Sequence, residues 1–161
     1  MKIAKALKLK KRIAGEVAKL NALLQQNVVQ SGVKQNYDVV KVWAELAEKV
    51  DRLALVKAGV AVANAGGAAT DSSLVRGTAA FKIFLMAEKK GLISALMEIP
   101  TRDEVVQMPQ GMGQPPREVT YSSQMGRNAI DAEAARLQAE VEALQDELDE
   151  FNATRSVLDL P

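Results

Sequence analysis

The sequence predicts an all-α fold: a bundle of about four long antiparallel helices with coiled-coil-like seams and a short β strand or hairpin between the third and fourth. Three observations predict it. Four of the five prolines, Pro100, Pro109, Pro115 and Pro116, fall in one interval of the 161 residues, which frees residues 1–99 and 117–160 of the strongest helix breaker. Apolar residues recur at alternating spacings of four and three on both sides of that interval. The composition, 48% hydrophobic and 25% charged with a net charge of +1, is that of one domain able to bury a sizeable core.

The first helix is predicted over about residues 3–26. Ile3, Ala6, Ile13, Val17, Leu20 and Leu24 share one face, interrupted by Lys10, and Gln30-Ser31-Gly32 begins a polar loop. Asn36 or Asp38 can cap a second helix over 38–65, because a side-chain oxygen there accepts from the free first-turn amides. Its seam is Val39, Trp43, Leu46, Val50, Leu53, Lys57 and Val60. The stretch Ala65-Gly66-Gly67-Ala68-Ala69 reads as a helix end. A phosphate-cradling loop is the sharper alternative, but it lacks the Gly-Lys-Ser/Thr ending and a preceding strand.

Asp71 or Ser72 can cap a third helix over 72–99 that stops at Pro100. Its seam is Leu74, Thr78, Phe81, Leu85, Glu88, Leu92, Ala95 and Ile99. Ile83, Phe84, Met86, Ile93 and Met97 lie outside that seam, so this helix must be covered on more than one side or sit at a subunit interface. Residues 100–124 break the pattern. Residues 103–108 and 117–122 form two short strands around the Pro109–Pro116 loop, or a disordered excursion precedes a single strand. The last helix, 128–152, opens on Asn128 and Asp131, a capping-box-like pair, and carries the seam Ile130, Ala134, Leu137, Val141, Leu144, Leu148 and Phe151.

Charge is distributed unevenly. Within residues 1–20, Lys2, Lys5, Lys8, Lys10, Lys11, Arg12 and Lys19 face Glu16 alone. Within 128–150, eight carboxylates face Arg136 alone. Pairing of the first and last helices, within a chain or between chains, accounts for both and is the favoured expectation. The alternative is an anion-binding surface at Lys5, Lys8, Lys11, Arg12 and Lys19 for nucleic acid, although no aromatic residue lies among the lysines to stack on a base.

The absence of His and Cys removes the usual nucleophile–base pairs, zinc sites and disulfides. Di-iron bundle sites require Glu-x-x-His pairs that the chain lacks. The sequence therefore points to no catalytic, metal or cofactor residue. Neither a signal peptide nor a membrane span is read, and the expected setting is cytoplasmic.

Three stretches carry a family resemblance: Val60-Ala61-Val62-Ala63-Asn64 at a helix end, Arg117-Glu118-Val119-Thr120-Tyr121 before the last helix, and the seam Leu137 to Phe151 running into Asn152-Ala153-Thr154. In these the chain resembles the septicolysin-like family of small bacterial helical proteins, whose members have no established biochemical role. It departs from that pattern at Gly67, at Ala153 and in the Pro109–Pro116 loop. The resemblance implies a helical, self-associating protein and brings no catalytic residues.

The functional expectation is a non-enzymatic homo-oligomeric scaffold or adaptor whose main partner is itself, with nucleic-acid binding as the alternative. Phe81, Phe84, Met86, Val119, Tyr121, Leu144 and Leu148 are the candidate interface residues. The strand around Val119 and Tyr121 is expected to offer an edge to a neighbouring subunit.

Overall fold

The helix α2 (Val39–Asn64) organises the molecule because it is apolar on two flanks. Val39, Val42, Trp43, Leu46, Val50, Leu53, Ala54 and Ala58 are all buried. One flank receives α1 (Ile3–Leu23) and the other receives α4 (Ala79–Met97), which in turn packs on α5 (Arg127–Ala153). The computed structural model describes residues 1–155. Each neighbouring pair of long helices runs antiparallel. Glu16 meets Lys49, Lys57 meets Glu88, and Lys89 and Lys82 meet Glu140 and Glu147 in turn.

Three strands complete the fold: β1 (Val28–Gln30), β2 (Glu104–Met108) and β3 (Arg117–Ser123), in the order β1-β3-β2 with both pairings antiparallel. The fold therefore combines five α-helices with a three-stranded sheet among the described residues, which corrects the all-α four-helix bundle read from the sequence. Two things overturn that reading. The long helices follow one another as α1, α2, α4 and α5 without α1 packing along α5, so no four-helix bundle closes. Between α1 and the loop that begins at Ser31, the chain also adds a strand that the sequence reading did not place. Val28, Val29 and Gln30 pair with Ser123, Ser122 and Tyr121.

The third helix is two. Ser72–Arg76 forms α3, and the chain turns at Gly77-Thr78 before α4 begins. Thr78, expected in an apolar seam, is instead the N-cap of α4. Its hydroxyl accepts from the Phe81 N–H at 3.2 Å and donates to the Val75 carbonyl at 2.6 Å. Leu74, placed in the same seam, is exposed because it belongs to the separate short helix. The surplus apolar residues of α4 reflect its position between α2 and α5.

Of the two candidates offered for each cap, Asp38 rather than Asn36 caps α2, accepting from the Lys41 N–H at 3.2 Å, and Asp71 rather than Ser72 caps α3, accepting from the Ser73 N–H at 2.9 Å. The Asn128–Asp131 capping box does not form. Helix α5 starts one residue earlier, at Arg127, with Gly126 as its uncapped N-terminal neighbour, and Asp131 pairs with Arg127 at 3.1 Å.

Helix α2 ends where the glycines predict. Gly66 takes φ +79° and the Gly67 N–H reaches back to the Val62 carbonyl at 2.9 Å, a Schellman closure and not a phosphate loop.

Of the two alternatives for residues 100–124, the hairpin forms, in the register Glu104↔Tyr121 through Met108↔Arg117. The long loop does not set that register; the base of the hairpin does. The Asp103 carboxylate accepts from the Ser123 N–H at 2.9 Å, the Arg102 N–H donates to the Ser123 hydroxyl at 2.9 Å, and the Arg102 guanidinium lies over the Tyr121 ring at 3.7 Å.

The sheet covers one end of the helices, and Asn27 joins the two. It is the one buried polar residue among those described. Its amide donates to the Pro100 and Met125 carbonyls at 2.9 Å each, and its side-chain oxygen accepts from the Met125 N–H at 2.7 Å. Around it Leu24, Val39, Leu96, Ile99 and Ile130 form the larger core. A smaller one of Ala54, Ala58, Val75 and Phe81 fills the opposite end.

Candidate functional site

Helix α1 buries only Ile13 and Leu20 fully, both against α2, and exposes Lys5, Lys8, Lys11 and Arg12 together with the apolar Ile3 and Leu7 of its first turns. Lys5, Lys8 and Arg12 follow one another by three and four residues, so they project from one flank of the helix. Antiparallel packing brings Arg52 of α2 to the same flank. Together with Met1 and Leu9 these four cations line an open groove of about 450 Å³, and no carboxylate lines it.

Glu16, on the same helix, is engaged at 2.7 Å from Lys49 and 3.8 Å from Arg12. Its carboxyl is held below the ordinary carboxylate range, first by the hydrogen bond from Lys49 and further by the charges of Lys49, Arg12 and Arg52. Like charges three and four residues apart destabilise a helix, so this flank is stabilised by any anion that enters.

Among the described residues, the acidic helix does not pair with the basic one as expected. The acidic helix α5 meets α4, whose Lys82 and Lys89 pair with Glu147 and Glu140, while Arg136 pairs with Glu133 and Glu140. Helix α1, on the far side of α2, makes none of these contacts.

Of the five residues proposed for anion binding, Lys5, Lys8 and Arg12 come together, whereas Lys11 and Lys19 are exposed outside the groove lining. Arg52 was not legible as a member. In sequence it lies 40 residues from Arg12 inside an apolar helix, and only the register of α1 on α2 brings it there.

The seven candidate interface positions disperse. Phe81, Val119 and Leu148 are buried within this chain; Phe84, Met86, Tyr121 and Leu144 are partly buried. Val119 and Tyr121 lie on β3, the central strand, and both of its edges are taken by β1 and β2. The edge-to-edge pairing expected of that strand is therefore closed to it.

A second concavity, about 250 Å³, opens beside the start of α1. It is lined by Ile3, Ala6, Leu55, Val60, Ala63 and Val75 among others, with no ionisable side chain in its lining. Among the described residues no group of three or more acidic side chains is arranged to hold a metal ion, and no helix is long and apolar enough to cross a membrane. No family model matches the chain, and no curated protein or solved structure matches it either.

Proposed function

We propose that this chain is a non-catalytic adaptor that docks through its basic edge on the phosphate backbone of nucleic acid, without reading sequence. The observation that carries the reading is the convergence of Lys5, Lys8, Arg12 and Arg52 on one groove with no carboxylate in its lining. No aromatic side chain lines the groove, which argues against base stacking and for contact with phosphates alone. An anionic membrane surface fits less well, because an interfacial helix needs a broad free apolar face, whereas α1 has Ile13 and Leu20 buried on α2 and only Ile3 and Leu7 as exposed large apolar residues. The absence of His and Cys supports a non-catalytic role, and a cytoplasmic setting is part of the same proposal.

Fluorescence anisotropy with labelled duplex DNA tests the reading. Three to four phosphate contacts predict that affinity falls about 20- to 50-fold between about 50 and about 150 mM salt. A variant combining Lys5→Glu, Lys8→Glu and Arg12→Glu is expected to abolish binding while keeping the helical circular dichroism of the parent. No binding at low salt, or binding indifferent to the triple reversal, overturns the proposal.

A further inference from the structure

Among the described residues, strand β2 has a neighbour on one side only. Which of its backbone groups face outward follows from the alternation of an antiparallel ladder. The Ser31 N–H donates to the Thr120 carbonyl at 2.8 Å, and the Thr120 N–H donates to the Ser31 hydroxyl at 2.9 Å, so Thr120 points its backbone toward β1. Its neighbours Val119 and Tyr121 then point theirs toward β2, where they oppose Val106 and Glu104. The N–H and C=O groups of Val105 and Gln107 are left on the outer edge.

That edge is lightly guarded, its one charged side chain, Glu104, being paired with Arg102. Between Glu104 and Met108 there is no lysine and no proline, the register has no bulge, and Val105 is 57% exposed. It is bounded on one side by Asp103, whose carboxylate is committed to Ser123, and on the other by Pro109, which has no N–H to give.

We propose that β2 pairs antiparallel with β2 of a second copy across a two-fold axis through Val106, joining two three-stranded sheets into one of six strands. The self-complementarity of the edge selects a second copy over an unrelated strand. With Val105 opposite Gln107 of the partner subunit, the two outward residues of each copy meet twice and exchange four hydrogen bonds. Registers that place Val105 on Val105 or Gln107 on Gln107 use only one such pair. The chosen register also sets Glu104, already paired with Arg102, opposite Met108 of the partner subunit, so no like charges face each other. The contact is small, and the dimer is accordingly weak and concentration-dependent.

Two variants of the full chain test this by sedimentation equilibrium and crosslinking. Val105→Pro removes an N–H that the intrachain sheet does not use, so it leaves the fold intact while blocking the edge. The parent is expected to move from monomer toward twice its mass as concentration rises, and Val105→Pro to stay monomeric with an unchanged melting temperature. Val106→Cys, in a chain with no other cysteine, is expected to form a disulfide-linked dimer on mild oxidation, since non-hydrogen-bonded antiparallel pairs hold their Cα atoms within disulfide range. A parent that is monomeric throughout, a Val105→Pro variant that dimerises equally, or capture of an extended foreign peptide by β2 in preference to self-association overturns the proposal. The Lys5/Lys8/Arg12 reversal leaves this edge untouched, so dimerisation and nucleic-acid binding fail independently.

Discussion

Replacing Asn27 by alanine removes two donors and one acceptor from groups that have no alternative partner: the Pro100 carbonyl and both backbone groups of Met125. Leaving buried polar groups unpaired predicts a loss of about 2–4 kcal/mol in urea unfolding. Asn27→Asp keeps the acceptor and should lose less if its proton is retained in acid. The residue is invisible to pattern reasoning. It follows two exposed glutamines in an unremarkable polar stretch, and its role arises from segments about 70 and 98 positions away.

Glu133 illustrates residue-scale electrostatics. Its carboxyl is held below the ordinary range, chiefly by hydrogen bonds from Arg136 and secondarily by the Trp43 indole N–H at 3.3 Å. A carboxyl depressed in the folded state contributes fully above the ordinary carboxylate range, and the contribution is lost as pH falls through the depressed value. The melting temperature should therefore hold near neutrality and fall in acid. Glu133→Gln should lower the neutral value and flatten the acid limb. An acid limb unchanged in that variant would show that other carboxylates govern it.

At the scale of elements, the starts of α2 and α3 and the end of α2 were legible in local chemistry, whereas the cap of α5 and the break inside the third helix were not. Asp38 and Asp71 cap because a short carboxylate can reach its own first turn, a relation contained within three residues. The glycine end of α2 is local in the same way. Gly66 holds a positive φ, and a Cβ on Gly67 would meet Val62 Cγ1 at 2.8 Å. Gly66→Ala is expected to destabilise by about 1 kcal/mol and Gly67→Ala by at least as much, read from thermal unfolding. Thr78 is the contrary case. Its four-three spacing with Leu74 and Phe81 imitated a seam, while its hydroxyl was free to cap. Thr78→Ala should cost about 0.5–2 kcal/mol, whereas a true seam position would tolerate alanine's higher helix propensity far better.

For the whole molecule, the succession α1, α2, α4, α5 gives unequal protection. Helix α2 is packed on two flanks, and the first half of α1 on one flank only. Native-state hydrogen exchange should therefore find α2 amides slowest and those of Lys5 to Lys11 among the fastest helical positions. Uniform protection across both helices would contradict this arrangement. The same succession separates the basic helix from the acidic one, which is why near-equal opposite charges at the two ends of the sequence do not neutralise each other within the chain.

The sequence by itself placed the first, second and last long helices, a strand before the last helix, the glycine stop and the basic stripe, because each is a relation among residues a few positions apart; it left one strand or two open around the proline interval and ran the third helix through its break. The tertiary structure alone decided that Val28–Gln30 is a strand, that β3 is central, that Asn27 ties the sheet to the helices and that Arg52 joins Lys5, Lys8 and Arg12. The physical reason is the same in each case. Strand pairing, burial of a polar group and convergence of charge depend on which distant segment packs alongside, and periodicity within a segment carries no information about its neighbour.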